Sequence, residues 1–301
     1  MKVSTCLQVY RKGLEVYSPR QDRKYICSSR PLIYVRVMLR GKAVSPVVAT
    51  VIITSIMLTT VAVAVYYSTS LIDAYRQRME YESAKELLSY AATALEQVSF
   101  GMGGARYVRF SLTSTGLNFE QSSHKLELEI RGDIDTYGLS VEFRRISVRA
   151  GPLVTTVARV LYPEGAPLSE LNKLIVGAGE PIVVVYENFD RGAFAYLEAR
   201  RVRAIYSGIT YVIEDGRQRL YNFYTIHLVE VTFGELGGVG TIPLVFRNRE
   251  TEVYEYRFSS PSVIVSVKLN GIVSERRLTG KENAEGSIVI VKISQVEVAT
   301  G

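Results

Sequence analysis

From Ala43 to Ile72 the chain carries no charged residue, and the run VSPVVATVIITSIMLTTVAVAVYY within it is apolar apart from small hydroxyl side chains. A helix rises about 1.5 Å per residue and a bilayer core is about 30 Å thick, so more than about 20 such residues suffice to cross it. The pattern therefore predicts a transmembrane helix over residues 44–70; the core helix of a soluble protein, the other reading, seldom stays uncharged this long. Further on, Tyr81, Ala84, Leu87, Leu88, Ala91, Leu95 and Val98 recur at the i, i+3, i+4, i+7 spacing of an amphipathic helix. Glu80, Glu82, Lys85, Glu86 and Glu96 are assigned to its polar side. Neither proline nor glycine interrupts residues 47–100. One helix is expected to fill 44–99, transmembrane over 44–70 and amphipathic over 71–99, running from Pro46 to about Val98 for roughly 80 Å. Its first half suits lipid or a bundle of like helices. Thr50, Thr54, Ser55, Thr59 and Thr60 would either let helices approach closely or simply be tolerated in an anchor, since such hydroxyls can bond back to the preceding turn.

Phe100-Gly101-Met102-Gly103-Gly104 ends the helix with the backbone freedom needed to turn. The period then changes from 3.6 to 2. Lys125–Arg131 reads KLELEIR in strict alternation, and Leu139, Val141 and Phe143 repeat it. Further strands are predicted at Ile182–Tyr186, Ala193–Tyr206, Leu220–Phe233, Thr241–Phe246, Val253–Phe258, Val263–Leu269 and Ser287–Val298. Asp215-Gly216 and Asn270-Gly271 each separate two such runs and favour the primed turns of tight hairpins. The fold class is thus α+β: a long N-terminal helix followed by an antiparallel, β-sandwich-like domain over 105–301. Residues 152–179 contain Pro152, Pro163, Pro167 and a candidate short helix at Leu168–Leu174, and are the candidate place for an internal division.

Charge changes the picture. The chain has 36 Lys/Arg against 30 Asp/Glu, but residues 1–43 hold 10 of the former and 2 of the latter. Removing them leaves 26 against 28, so the +6 of the whole becomes −2 for the remainder. A nucleic-acid role for the β-rich part loses its electrostatic support. Both cysteines, Cys6 and Cys27, precede residue 43, which excludes a thiol nucleophile or thiolate metal site from the rest. His124 and His227 stand far apart without metal-binding spacing and read as strand residues. Neither GxSxG nor HExxH occurs, and Gly177-Ala178-Gly179 and Gly237-Gly238-Val239-Gly240 lack the pattern of a phosphate loop and read as turns. Glu127 and Glu129 alternate along a strand as solvent-facing charges would. No catalytic residue, metal ligand or cofactor site is expected, and no N-x-S/T sequon is present. Twenty tyrosines and no tryptophan suit either half-buried strands or a contact surface.

Arg36, Arg40 and Lys42 precede the apolar run; Arg76 and Arg78 follow it among Asp73, Glu80 and Glu82. The positive-inside rule places the N-terminus in the cytoplasm and the C-terminal domain outside. At the junction Arg40-Gly41-Lys42-Ala43 is followed by Val44-Ser45-Pro46-Val47-Val48-Ala49. Here the chain resembles archaeal type IV pilins, whose class III signal peptides end in a short basic stretch directly before a retained hydrophobic helix. The resemblance is close from Arg40 to Val98 and only general beyond. It implies cleavage after Ala43 by a prepilin peptidase, with Arg40, Gly41, Lys42, Ala43 and Val44 as the processing site. An uncleaved signal anchor is the alternative. Ser45 is a good N-cap and Pro46 suits the first helical position, where its missing N–H has no intrahelical partner. Bacterial type IV pilins carry glutamate where this chain has Val48, a departure expected of the archaeal branch. Pilin leaders are usually short, so Met38 is an expected true start, giving the leader Met38–Ala43; if residues 1–37 are translated, their basic and aromatic composition suits a cytoplasmic arm on anionic lipid. Implied partners are other pilin subunits, the prepilin peptidase, an assembly ATPase and its membrane platform. A β-rich domain of this size suits a minor or tip subunit engaged in adhesion at least as well as a major one.

Overall fold

The computed structural model describes residues 45–300 apart from Met102 and Val239. The processing residues Arg40, Gly41, Lys42, Ala43 and Val44, together with Met38 and both cysteines, lie outside the described residues. The chain divides into two compact units, Met1–Leu58 and Thr59–Gly301. In the first, the described residues after Ser45 are helical.

A single helix, α1, occupies Pro46–Phe100. The Ser45 carbonyl accepts the N–H groups of Val48 (2.9 Å) and Ala49 (3.1 Å), which puts Ser45 at the N-cap and Pro46 at the first helical position. At the other end Asn248 closes the helix: its Nδ2 donates to the carbonyls of Val98 (3.2 Å) and Gly101 (3.3 Å), and its own N–H donates to Gly104. The Val98 carbonyl also accepts the Gly101 N–H (3.2 Å) and the Gly101 carbonyl the Gly104 N–H (3.1 Å), so Asn248 adds a second donor to each and ties the end of the helix to a distant strand. Asn248→Ala should cost about 0.5–1.5 kcal/mol, the net contribution of a side-chain hydrogen bond whose acceptors keep another donor, and hydrogen exchange should accelerate first in the last turn, Leu95–Phe100.

Among the described residues thirteen strands follow, in two sheets. In chain order they are β1 (Ala105–Ser111), β2 (Gly116–Arg131), β3 (Thr136–Arg149), β4 (Arg159–Tyr162), β5 (Ile175–Val176), β6 (Val184–Phe189), β7 (Ala193–Glu198), β8 (Val202–Glu214), β9 (Arg217–Phe233), β10 (Thr241–Phe258), β11 (Ser262–Leu269), β12 (Ile272–Thr279) and β13 (Gly286–Thr300). One sheet has the order β1-β10-β13-β9-β8-β5, the other β12-β11-β2-β3-β7-β6-β4. Asp215-Gly216 and Asn270-Gly271 take φ of 52° and 75°, and 52° and 79°, which are the positive values of a primed turn. They join β8 to β9 and β11 to β12.

The second sheet is antiparallel throughout, but the first is mixed, which corrects the expectation of a wholly antiparallel system. β13 lies parallel to β9 and antiparallel to β10. A strand inserted between two that run in opposite directions must match one of them, and β13 reaches that slot after the chain has built β11 and β12 in the other sheet. β5 and β8 are also parallel. The run Ala193–Tyr206, expected as one strand, is broken at Ala199–Arg201, so that β7 and β8 belong to different sheets. Arg200 and Arg201 are buried at the crossing, paired with Glu198 (3.2 Å) and Glu170 (3.0 Å). The segment 152–179 contributes β4 to one sheet and β5 to the other, and its short helix is a 3-10 turn, Leu168–Asn172.

Two clusters of buried side chains fill this unit, each drawing on both sheets. One joins the stripe Tyr81, Ala84, Leu88, Ala91, Leu95 and Val98 of α1 to residues such as Phe110, Ile146, Leu197, Phe246 and Val298. The other gathers Leu126, Leu128 and Ile130 with Val265, Ile226 and Val291. Each fully buried Leu or Val contributes about 1.5–3 kcal/mol of transfer free energy, so α1 is held chiefly by this stripe.

Candidate functional site

The two halves of α1 meet different surroundings. From Val47 to Met79 every large apolar side chain of the helix is exposed, including Ile52, Met57, Val61, Tyr66, Leu71 and Tyr75. The segment is long and apolar enough to cross a membrane, and none of that window is buried. It is apolar all round rather than striped, the distribution of a helix meant for lipid or for like helices. Its threonines fit the same surroundings: the Thr50 hydroxyl donates to the carbonyls of Pro46 (3.0 Å) and Val47 (2.9 Å), and Thr54 and Thr69 repeat the pattern one turn back. A hydroxyl satisfied by its own helix presents little polarity to hydrocarbon.

The second half is fastened to the β strands by polar side chains placed at intervals. Gln77 Oε1 accepts the Leu153 N–H (3.2 Å). The Glu80 carboxylate accepts the N–H groups of Thr113 (2.5 Å), Ser114 (2.8 Å) and Thr115 (2.9 Å) and the Ser114 hydroxyl (2.8 Å). Burial alone would raise its pKa, but these four donors outweigh it and bring the carboxyl down to about 2. Glu96 accepts from Arg203 (2.6 Å), the Ile182 N–H (3.2 Å) and the Tyr162 hydroxyl (3.2 Å). Near the end of the helix the Ser294 hydroxyl donates to the Ser99 carbonyl (2.6 Å).

Between these lies a buried charge pair that corrects the assignment of Lys85 to the polar side. Lys85 is 4% exposed, and its Nζ lies 3.0 Å from Glu187 Oε2 and 2.8 Å from Glu82 Oε2. Glu187 also accepts from the Thr156 hydroxyl and from Arg159. Burial would raise the Glu187 carboxyl, yet Thr156, Arg159 and Lys85 together hold it below the usual carboxylate range. The signal for Lys85 was present in the spacing: 81, 84, 85, 88, 91, 92, 95, 98 and 99 form one stripe at i, i+3, i+4, in which Lys85 shares a row with Ala92 and Ser99. Its charge disguised its position.

Phe100, the last helical residue, packs between His227 (ring centroids 5.4 Å apart) and the Arg203 guanidinium, 4.5 Å from the ring centre. His227 pairs across the sheet with Arg203 on one side and Lys292 on the other. Burial, then those two cations, depress its pKa to about 4. His227 and Glu80 thus make folding pH-dependent in adjoining ranges. For both groups the folded pKa is depressed, so the unfolded chain binds more protons and stability is lost as the pH is lowered. The His227 contribution is lost between 6.5 and about 4, and the Glu80 contribution between 4.5 and about 2. Thermal unfolding followed against pH should show both limbs, the upper reduced in His227→Phe and the lower reduced in Glu80→Gln, where Glu187 still contributes.

The second half of α1 is thus a striped seat bonded to the β strands through Gln77, Glu80, Lys85 and Glu96. Among the described residues no group of three or more His, Cys, Asp or Glu is placed to hold a metal ion. No protein-family model, curated protein or solved structure matches the chain.

Proposed function

We propose that the chain is a type IV pilin-like subunit, cut between Ala43 and Val44 by a prepilin peptidase and then held in the membrane by α1 until that helix carries it into a cell-surface filament. The observation that carries this reading is the division of one helix into a uniformly apolar part with no buried residue and a part seated by Glu80, Lys85 and Glu96. A filament built on helix packing needs both: a surface that leaves lipid for neighbouring helices, and a fixed joint by which each helix carries its own domain. The junction Arg40-Gly41-Lys42-Ala43 before Val44-Ser45-Pro46 supports the cleavage step. On this reading the two sheets form an extracellular sandwich, the N-terminal side faces the cytoplasm, and the role is adhesion or initiation as a minor or tip subunit. Its partners are other pilin subunits, the peptidase, an assembly ATPase and a membrane platform. No catalytic, metal or cofactor chemistry enters the role.

Mass mapping of the N-terminus in cells with and without active prepilin peptidase tests it. The expected result is a chain beginning at Val44 only where the peptidase is active. An intact N-terminus in both would overturn the filament reading and leave a single-pass surface binding protein with the same β domain.

A further inference from the structure

Three loops converge at one end of the second sheet, beside the turn of α1 that follows its apolar run. The loop 112–115 is tied to Glu80 and the loop after β3 to Gln77, while the β6–β7 turn sits next to the end of β3, where Arg149 registers with Phe194. This end combines exposed apolar side chains with cations. Leu153 and Phe189 are 54% and 51% exposed, and Tyr75 of α1 lies beside Leu153 along a shared cleft. A second cleft of about 560 Å³ is lined by Arg149, Arg191, Pro152 and Phe189. Arg76 and Arg78 project from the same stretch of helix, both exposed. Among the described residues, Arg76, Arg78, Arg149 and Arg191 form no ion pair. The carboxylates at this end are Asp73, Asp190 and Glu80, and the last is turned into its four hydrogen-bond donors. Arg191 is held at φ 54°, a left-handed position that glycine or asparagine would fill with less strain.

From this we infer that the end of the β domain bearing Leu153, Phe189, Arg149 and Arg191 is a membrane-facing surface that seats on anionic lipid headgroups before the subunit is assembled. The inference rests on the reading of α1 as a membrane span. If residues 44–70 cross the bilayer, the helix emerges at about Leu71, and Tyr75, Arg76 and Arg78 fall within one or two turns of the surface. The loops bonded to Gln77 and Glu80 are brought to the same depth. Arginines there extend their charged ends to lipid phosphates while their stems and the neighbouring Leu153 and Phe189 enter the interfacial region. The apolar surface is thus continuous with the span, and the unpaired cations are complementary to an anionic headgroup layer. Such a seat would fix the tilt of the helix and its attached domain relative to the membrane and would have to be surrendered when the subunit is drawn into a filament.

The test uses the full chain with Cys6→Ser and Cys27→Ser, reconstituted in vesicles of phosphatidylcholine alone or mixed with phosphatidylglycerol. A nitroxide is placed in turn through Leu153→Cys, Phe189→Cys, Val61→Cys and Ile134→Cys, and its collisions with oxygen and with a water-soluble nickel complex are compared. Ile134 is the control: it is 84% exposed and stands in the turn at the opposite end of β3, a strand of 14 residues, hence about 45 Å from Arg149 at 3.3 Å per residue. The expected result is lipid-like accessibility at positions 153 and 189 in the mixed vesicles and aqueous accessibility at 134. Arg149→Gln with Arg191→Gln should lower the ratio of seated to lifted domains on the order of 25-fold, five-fold for each arginine at an anionic surface. Aqueous signals at 153 and 189 in the mixed vesicles, with a lipid signal at 61, would overturn the inference and leave the anchor intact. Signals at 153 and 189 that are lipid-like in both vesicle types and unchanged in the double variant would overturn the headgroup recognition. An aqueous signal at 61 would instead overturn the anchor reading itself.

Discussion

Met57→Arg combined with Val61→Arg is expected to remove the protein from washed membranes. Both side chains lie near the middle of the apolar run, at 65% and 62% exposure, so neither contributes to the packing of the β-rich part. A guanidinium near the centre of a spanning helix costs about 2.5–3.5 kcal/mol on insertion scales, and two cost about 5–7 kcal/mol. Snorkelling offers little relief, because both positions are several turns from either end of the run. The pair lies one turn apart, which places both charges on one side of the helix and leaves no rotation that hides one while the other reaches water. Met57→Leu with Val61→Leu, of equal hydrophobic character, should stay in the membrane. The comparison is read by carbonate extraction followed by immunoblotting of pellet and supernatant. Retention of the double arginine variant at the level of the leucine variant would sink the membrane role of this helix. Its near-ultraviolet dichroism should match that of the native protein in detergent, since the tyrosine-rich unit does not depend on residues 57 and 61.

What could be read from the sequence, and what could not, follows from the range of the interactions involved. Elements fixed by local chemistry were legible. A run without proline or glycine, opened by Ser-Pro and closed by a glycine cluster, defines α1, and Asn270-Gly271 defines a primed turn because both positions must take positive φ. Alternation in KLELEIR places Leu126, Leu128 and Ile130 inside, where they are 2%, 1% and 1% exposed. Features decided by distant partners were not. β13 reads Ser287-Ile288-Val289-Ile290-Val291, a near-continuous apolar run of the kind found in strands buried on both faces and paired in parallel, yet alternation alone offered it as one more antiparallel strand. Arg200 and Arg201 interrupt an apparent strand only because Glu198 and Glu170 receive them in the interior. Lys85 was misplaced for the same reason: its ion-pair partner Glu187 is a hundred residues away. Charged residues that lie on an apolar stripe are therefore the most informative exceptions in this chain, because each implies a buried counter-charge elsewhere.

That implication sets the second large expected effect. Glu187→Ala should destabilise the protein by about 3–5 kcal/mol, the range for breaking a buried ion pair by removing one partner. The loss would be a large share of a typical total of about 5–15 kcal/mol. Without Glu187, Lys85 keeps only Glu82, whose side chain is 47% exposed and correspondingly well solvated. Its own side chain, 5% exposed, would remain largely shut off from water. Lys85→Met should cost less, because Glu187 retains Arg159 and Thr156. Replacing both together, Lys85→Met with Glu187→Leu, should recover part of the loss, since an apolar pair of similar volume needs no desolvation to be repaid. Denaturant unfolding in detergent of the unsubstituted chain, Lys85→Met, Glu187→Leu and the double variant, followed through the tyrosine signal, gives the four corners of the cycle. A sum of single-variant losses equal to that of the double variant would mean that the pair is not coupled and that the apolar stripe alone seats the helix. Coupling would identify Lys85–Glu187 as the joint between helix and β strands. Because Glu187 is held below the usual carboxylate range, its contribution is present at neutral pH and is lost as the pH falls through its folded pKa. If the chain is the pilin-like subunit proposed above, Glu187→Ala should also reduce assembly while leaving insertion of the apolar run unchanged.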